Sequence, residues 1–356
     1  MKNQLIIVAI IIAAILGGFA LFSNKQNERS SSSNNSSKTS GTQAQNVSTT
    51  NQDESVSENA IYGHVHALIM NPSDNSLLLG THDGLFKSVD QGKTFQKIET
   101  KGDVNAMDFM NFVYDPNTKT LFAGGHDLGV IKSMDGGITW SKADSGIKGA
   151  DIHALAMNPL DTTKLYAFSV GNGVFGSKDG AKSWYRIDDG PDNPSTRAFG
   201  YMGTPSSMDR GMKTDKTTNI GYLWAGTGGG LYSSFACFCG WTKTTGISDN
   251  ATIYTLAPDP ANRSSMLAGT KDGIFKTTDE GKTFTQVNSN IKNVAAITFD
   301  ESNPKTIYAA TSDGLLYRSV DGGQKWDKVN GISKACLLLS QNVGFLSLVG
   351  IASILG

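Results

Sequence analysis

From Tyr62 to Ile332 the chain alternates short apolar runs with breaks bearing Gly, Asn, Asp or Pro, and the alternation repeats. A first run ends in Asn-Pro or Asp-Pro: HALIMNP (66–72), FVYDP (112–116), HALAMNP (153–159) and YTLAPDP (254–260). A second run follows (LLLG, LFAGG, LYAFS, LWAGT, MLAGT, IYAAT), then a tight glycine turn and a third (GLFKS, GVIKS, GVFGS, GLYSS, GIFKT, GLLYRS). A fourth, shorter run closes most units (FQKIE, WSKAD, WYRID, FTQVN, WDKVN). Runs this short, bounded by turn residues, read as strands and not helices. Four per unit predict a four-stranded antiparallel blade. Six units in a row predict an all-β, six-bladed β-propeller over residues 60–334, in which radial packing protects the sheet edges.

A fixed motif, S/T-x-D-x-G/A-x-x-aromatic, joins the third and fourth runs. It occurs as SVDQGKTF (Ser88–Phe95), SMDGGITW (Ser133–Trp140), SKDGAKSW (Ser177–Trp184), TTDEGKTF (Thr277–Phe284) and SVDGGQKW (Ser319–Trp326). A sixth copy, SFACFCGW (Ser234–Trp241), keeps the Ser and Trp but carries Ala236 in place of the Asp. The chemistry of the box is that of a turn. The carboxylates of Asp90, Asp135, Asp179, Asp279 and Asp321 accept N–H bonds inside a hairpin. The glycine supplies a positive φ, and the aromatic buries a large face between neighbouring blades. The five aspartates are therefore expected to be structural.

These motifs resemble Asp-box (bacterial-neuraminidase-type) repeats. Their spacing is similar to that of the sortilin luminal propeller, xyloglucan-type glycoside hydrolases and photosystem assembly propellers, and most of all to bacterial secreted proteins described as sortilin-like or glycosyl hydrolase-like. The resemblance implies a propeller whose ligand site lies on the face away from the boxes. As function it implies a protein- or glycan-binding or assembly module, with a glycoside hydrolase acting on cell-surface or environmental polysaccharide as the alternative.

The flanks differ in kind. Leu5–Phe22 carries no charge, which is long enough to span a bilayer. Residues 1–22 are read as a transmembrane anchor, or as a signal segment if cleaved, and no Cys follows to support a lipid anchor. Residues 23–59, rich in Ser, Asn, Thr and Gln, bury too little apolar surface to fold and are read as a disordered linker. The uncharged tail 335–356 suits a second span, strands of a truncated blade, or an unrelated extension. The expected address is the cell membrane, single-pass, with the propeller on the extracytoplasmic side, or secretion after cleavage. The expected partners are the membrane, through the N-terminal helix, and a protein or carbohydrate ligand. A formal net charge of −1 argues against nucleic acid, and three Cys make no disulfide framework.

All five histidines fall in the first three units. His66 and His153 hold equivalent inner-strand positions, with Met110, Phe199, Tyr254 and Ala295 aligned in the other units. His82 and His126 share a turn position, and His64 precedes His66 by two. With Asp108, Asp151 and Arg197 they make up the candidate ligand-binding set. Duplication of blades accounts for the histidines, and no i,i+4 or Cys-paired spacing favours a metal, so neither metal nor cofactor is expected. A glycosidase needs two carboxylates across the sugar. Asp103, Asp108, Asp151, Asp188, Asp189 and Asp192 are available, with Glu99 nearby, and no catalytic pair is assigned. Sialidase chemistry needs an arginine triad, and Arg186, Arg197, Arg210, Arg263 and Arg318 are too scattered for one. Cys237 and Cys239 suit packing. The insertion Ser206–Gly221 is read as a mobile loop of the fourth blade, on the box face.

Overall fold

The computed structural model describes residues 64–103, 108–191, 195–203, 221–235, 238 and 240–329. The expected anchor, linker and tail, most of the Ser206–Gly221 insertion, and Cys237 and Cys239 lie outside them. The described residues form strands and turns only, and none of their segments is a helix long and apolar enough to cross a membrane.

Six antiparallel sheets follow one another along the chain, each built from four successive strands. Blade one is Val65–Asn71, Ser76–Thr81, Gly84–Ser88 and Gln96–Lys97, from the inner strand outwards. The inner strands of the other blades are Phe109–Asp115, Ile152–Met157, Thr196–Gly203, Ile253–Pro258 and Val294–Phe299. Blade two gains a fifth strand: Lys101–Gly102, from the connection out of blade one, pairs in parallel with Thr139–Lys142.

The ring closes without exchanging strands. The inner strand of blade six packs beside that of blade one. Hydrogen bonds cross the seam from Val65 N–H to the Ser312 carbonyl at 3.2 Å and from Met70 N–H to Thr298 Oγ1 at 3.1 Å.

The apolar residues form wedge-shaped cores between neighbouring blades. In the second strand of blade one, Leu77 and Leu79 pack against Ala296, Tyr308, Ala310 and Leu316 of blade six. Leu78, between them, packs against Phe109, Leu121 and Trp140 of blade two. Alternate side chains thus enter opposite seams, both dry. That is why the second strands read as unbroken apolar runs without polar alternation. The box aromatics enter these wedges too: Trp140 lies between blades one and two, Trp184 between two and three, and Phe284 between four and five.

The box geometry shows a division of labour. In blade two, Ser133 Oγ donates to Asp135 Oδ1 (2.7 Å) and accepts from the buried N–H of Gly137 (2.9 Å). Asp135 Oδ1 accepts from the exposed N–H groups of Ile138 (3.1 Å) and Thr139 (2.8 Å). The same Ser/Thr-to-Asp bond and the same buried amide recur around Asp90, Asp179, Asp279 and Asp321. In blade four Ser234 Oγ donates to the Gly240 carbonyl instead.

Candidate functional site

Each inner strand meets its neighbour with a register shift near its start, where one extra residue is inserted. The extra residues are His66, Met110, His153, Arg197, Tyr254 and Ala295 in blade order. A bulge bends its strand and re-aims the inserted side chain. His66, Met110, Arg197 and Tyr254 line a channel cavity of about 90 Å³. In blade four the position equivalent to His66 is thus held by Arg197, and the expected alignment of Phe199 is two residues out. The inner strand there, Thr196–Gly203, lacks the Asn-Pro end from which the others were counted and runs further. Phe199 is buried lower in the channel wall.

The turns between second and third strands bring His82 and His126 to the same end of the channel. The residues just before the inner strands of blades two and three bring Asp108 and Asp151. Nδ1 of His82 donates to Asp108 Oδ2 at 2.6 Å, and Nδ1 of His126 to Asp151 Oδ1 at 2.8 Å. His66 Nε2 is 2.9 Å from His82 Nε2. His153 Nε2 is 3.1 Å from Asp151 Oδ1 but off the direction of a hydrogen bond, and is buried.

The imidazoles form a continuous run. His64 stacks on His66 (4.9 Å between centroids), His66 meets His82 edge-on (4.4 Å), His82 stacks on His126 (6.1 Å), and His126 meets His153 edge-on (4.8 Å). Burial, then the neighbouring His82, His64 and His126 and the Arg197 guanidinium, push His66 down to about 2, so its imidazole is neutral. Burial also lowers His153, against the opposing pull of Asp151. Arg197 lies 5.6 Å from the ring centre of Tyr254. The eight residues singled out from the sequence for ligand binding therefore gather at one end of the ring.

The other carboxylates named from the sequence do not join them. Asp103 accepts from Lys142 N–H at the outer edge of blade two. Asp189 pairs with Arg186 at the end of the outer strand of blade three, where Asp188 accepts from Gly190 N–H. Asp192 and Arg210 lie outside the described residues.

The largest cavity described is at the opposite, box-side end of the channel, about 420 Å³. Its wall includes Tyr114, Leu160, Tyr201 and Pro260, and Asp259, Arg263 and Glu301 line it too. Asp259 and Glu301 follow the inner strands of adjacent blades, five and six. Glu301 is exposed as a residue, but desolvation of its carboxyl, then the charge of Asp300, raises it above the ordinary carboxylate range. Sequence reading passed over both acids because these segments match the turn pattern that ends every first run. A doubled acid in one such turn, Asp300-Glu301, was the available signal.

No protein-family model matches the chain. A xyloglucanase of Hypocrea jecorina (strain QM6a) is 27% identical over 228 residues, which are 60% of this chain and 24% of that enzyme. A xyloglucanase of a Paenibacillus species is 24% identical over 233 residues, 62% of this chain and 20% of the enzyme. The chain thus spans about a quarter or less of the relatives it matches. Among solved structures, an ancestral GH74 enzyme superposes with a TM-score of 0.50 at 16% identity, covering 78% of this chain and 40% of that one, a likeness of fold. The expectation of a binding or assembly module as the main reading is corrected by these matches: both sequence relatives are glycoside hydrolases, and they favour the reading held second. The described residues form an all-β six-bladed propeller, and about 60% of the chain is similar in sequence to xyloglucanases.

Proposed function

We propose that the protein is a glycoside hydrolase that cleaves a glucan-backbone polysaccharide of the xyloglucan type at the box-side cavity. The observation that carries this reading is that two carboxyl groups, those of Asp259 and Glu301, line one cavity, the second of them raised. Glu301, raised by desolvation and Asp300, keeps its proton to higher pH and serves as general acid toward the leaving oxygen. Asp259, which lines the same cavity from the adjacent blade and accepts the N–H groups of Ala261 and Asn262 through Oδ1, serves as base or nucleophile. Tyr114, half-buried in the wall, offers a ring face for a sugar, and Arg263 a donor for its hydroxyls. The likeness of the motifs to Asp-box repeats supports the hydrolase class, since such propellers recur among polysaccharide hydrolases, whereas the box-side place rests on the cavity and departs from the face which that likeness implied. The apolar segment 5–22 is proposed to hold the propeller outside the membrane, where such substrates occur. Removal of residues 1–22 then abolishes carbonate-resistant sedimentation with membranes.

The test is release of reducing ends from xyloglucan and unbranched β-glucan by the full chain, its Glu301→Gln form and its Asp259→Asn form. Each substitution is expected to lower the rate by about a hundredfold or more, because proton transfer by a positioned group contributes roughly 10²–10⁴. Full activity in both variants refutes the site, and absence of cleavage of either polysaccharide refutes the reaction.

A further inference from the structure

The histidine-lined end of the channel plays no part in that hydrolysis. Its donors fall into two sets, His66–His82–Asp108 and His126–Asp151–His153, in each of which one ligand atom per residue lies within 4.8 Å of the others. Each set is two imidazoles and one carboxylate, and His82 stacked on His126 joins them.

The spacings match a coordination sphere. Donors about 2.0–2.2 Å from one ion are about 2.8–3.1 Å from each other at the angle of about 90° in the tetragonal sphere Cu²⁺ prefers, and about 3.3–3.6 Å at the tetrahedral angle Zn²⁺ prefers. His66 Nε2 and His82 Nε2 are 2.9 Å apart, and Asp151 Oδ1 is 2.8 Å from His126 Nδ1 and 3.1 Å from His153 Nε2. Hydrogen bonds have similar lengths, so distance alone does not decide. Two further observations do. His153 Nε2 is buried and makes no hydrogen bond despite its short approach to Asp151, and Asp108 Oδ1 is buried without a hydrogen-bond partner. A buried polar atom with no partner costs about 1–3 kcal/mol, and an ion ligated there removes that cost. Moreover, His82 donates from Nδ1 to Asp108, so Nε2 carries its lone pair toward His66. A carboxylate holding the far nitrogen of a histidine is the usual support of a metal ligand.

We propose that this end of the propeller is a transition-metal site for borderline divalent ions such as Zn²⁺ or Cu²⁺, with His66 and His82 as ligands at one position, where Asp108 holds His82 from Nδ1, and His126, Asp151 and His153 as ligands at the next. Imidazole with carboxylate and no thiolate suits these ions, whereas Mg²⁺ and Ca²⁺ need all-oxygen cages. The repeat makes the pairs His82–Asp108 and His126–Asp151 equivalent, a turn histidine and the Asp that ends the connection into the next blade. The third member differs in origin: His66 comes from the same blade as its turn histidine, and His153 from the blade after, the bulge of blade two being Met110. Arg197, close enough to bear on both His66 and His153, opposes excess positive charge. Two divalent ions held this close repel each other, so the first is expected to bind more tightly than the second.

The experiment is titration of the full chain, freed of metal by a chelator, with Zn²⁺, Cu²⁺ and Mg²⁺, followed by calorimetry and by metal analysis after gel filtration. Zn²⁺ and Cu²⁺ are expected to be retained and Mg²⁺ not. His153→Ala is expected to weaken binding at one set, and His66→Ala with His153→Ala to abolish retention, each with an unchanged thermal unfolding curve. Electron paramagnetic resonance of the Cu²⁺-loaded wild type adds a readout independent of any variant: nitrogen hyperfine splitting from imidazoles is expected. Failure to retain Zn²⁺ or Cu²⁺, a spectrum with oxygen ligands only, or full retention by the folded double variant overturns the proposal. Polysaccharide cleavage is not a readout, so this result and the hydrolase reading stand or fall separately.

Discussion

Replacing the two polar members of one box separately tests where its stability lies. Asp135→Ala removes the acceptor for Ile138 and Thr139 N–H, but both amides are exposed and water replaces the carboxylate. Only the net gain of such bonds is lost, about 0.5–1.5 kcal/mol. Ser133→Ala leaves the buried N–H of Gly137 with no acceptor, and water does not reach it. The desolvation cost of that group, about 1–3 kcal/mol, then appears in full. The serine, not the aspartate that marks the motif in sequence, is expected to be the costlier loss. Because the two side chains share a hydrogen bond, the double variant is expected to cost less than the sum of the singles. Denaturant unfolding followed by tryptophan fluorescence measures all three, and Trp140, buried beside the box and bonded to the Gly137 carbonyl, reports locally. A larger loss for Asp135→Ala than for Ser133→Ala would show that the exposed amides carry the hairpin and would refute this account.

Acid sensitivity follows from the same boxes. Hydrogen bonds from the Ser183 hydroxyl and N–H hold Asp179 at about 2, and the Lys325 N–H lowers Asp321. In Asp90, Asp135 and Asp279 desolvation pushes upward, and hydrogen bonds from the turn outweigh it. A carboxyl depressed in the folded state contributes stability above its unfolded value, near 4, and loses it as pH falls through the folded value. The denaturation midpoint is therefore expected to fall already below about pH 6.5, where the unfolded chain takes up protons that buried His66 and His153 refuse, and to fall further between about 4 and 2 as the box carboxylates protonate; a midpoint flat from about pH 7 down to about pH 4 contradicts this. Gly281→Ala is expected to cost more than about 2 kcal/mol, since its φ is +81° and a Cβ there lies 2.2 Å from the Trp224 ring. Ala181 holds the same box position at φ 63°, so Ala181→Gly is expected to change stability by less than about 1 kcal/mol, relief of strain offsetting a lost methyl. Thermal melts that rank these two the other way contradict the argument.

What was legible in the sequence is what the repeat writes locally. The strands, the box hairpins and the equivalence of His66 with His153 depend on residues close in the chain and recur from blade to blade. The meeting of His82 with Asp108, 26 residues apart, depends on how one blade stands beside the next, which no local pattern records. Arg197 was placed among the site residues but not in register with His66, because counting back from a proline fails where the strand has no proline end. Asp259 and Glu301 were hidden by resemblance: their turns look like every other turn ending a first run. Only the cavity sets Glu301 apart from its capping neighbour Asp300, whose carboxylate accepts the N–H groups of Ser302 and Asn303.

Each blade is cut from one uninterrupted stretch of chain, and the seam between blades six and one is held by side-chain packing and hydrogen bonds rather than by a shared strand. In topological terms the ring has no privileged starting point. Joining residue 329 to residue 64 and opening the chain at any connection between an outer strand and the next inner strand leaves all six sheets covalently intact, except that a cut between Lys101 and blade two detaches that blade's extra strand. The sheets themselves do not dictate which blade comes first along the polypeptide, and circular permutation is available as a way to present either end of the channel beside a new fusion partner.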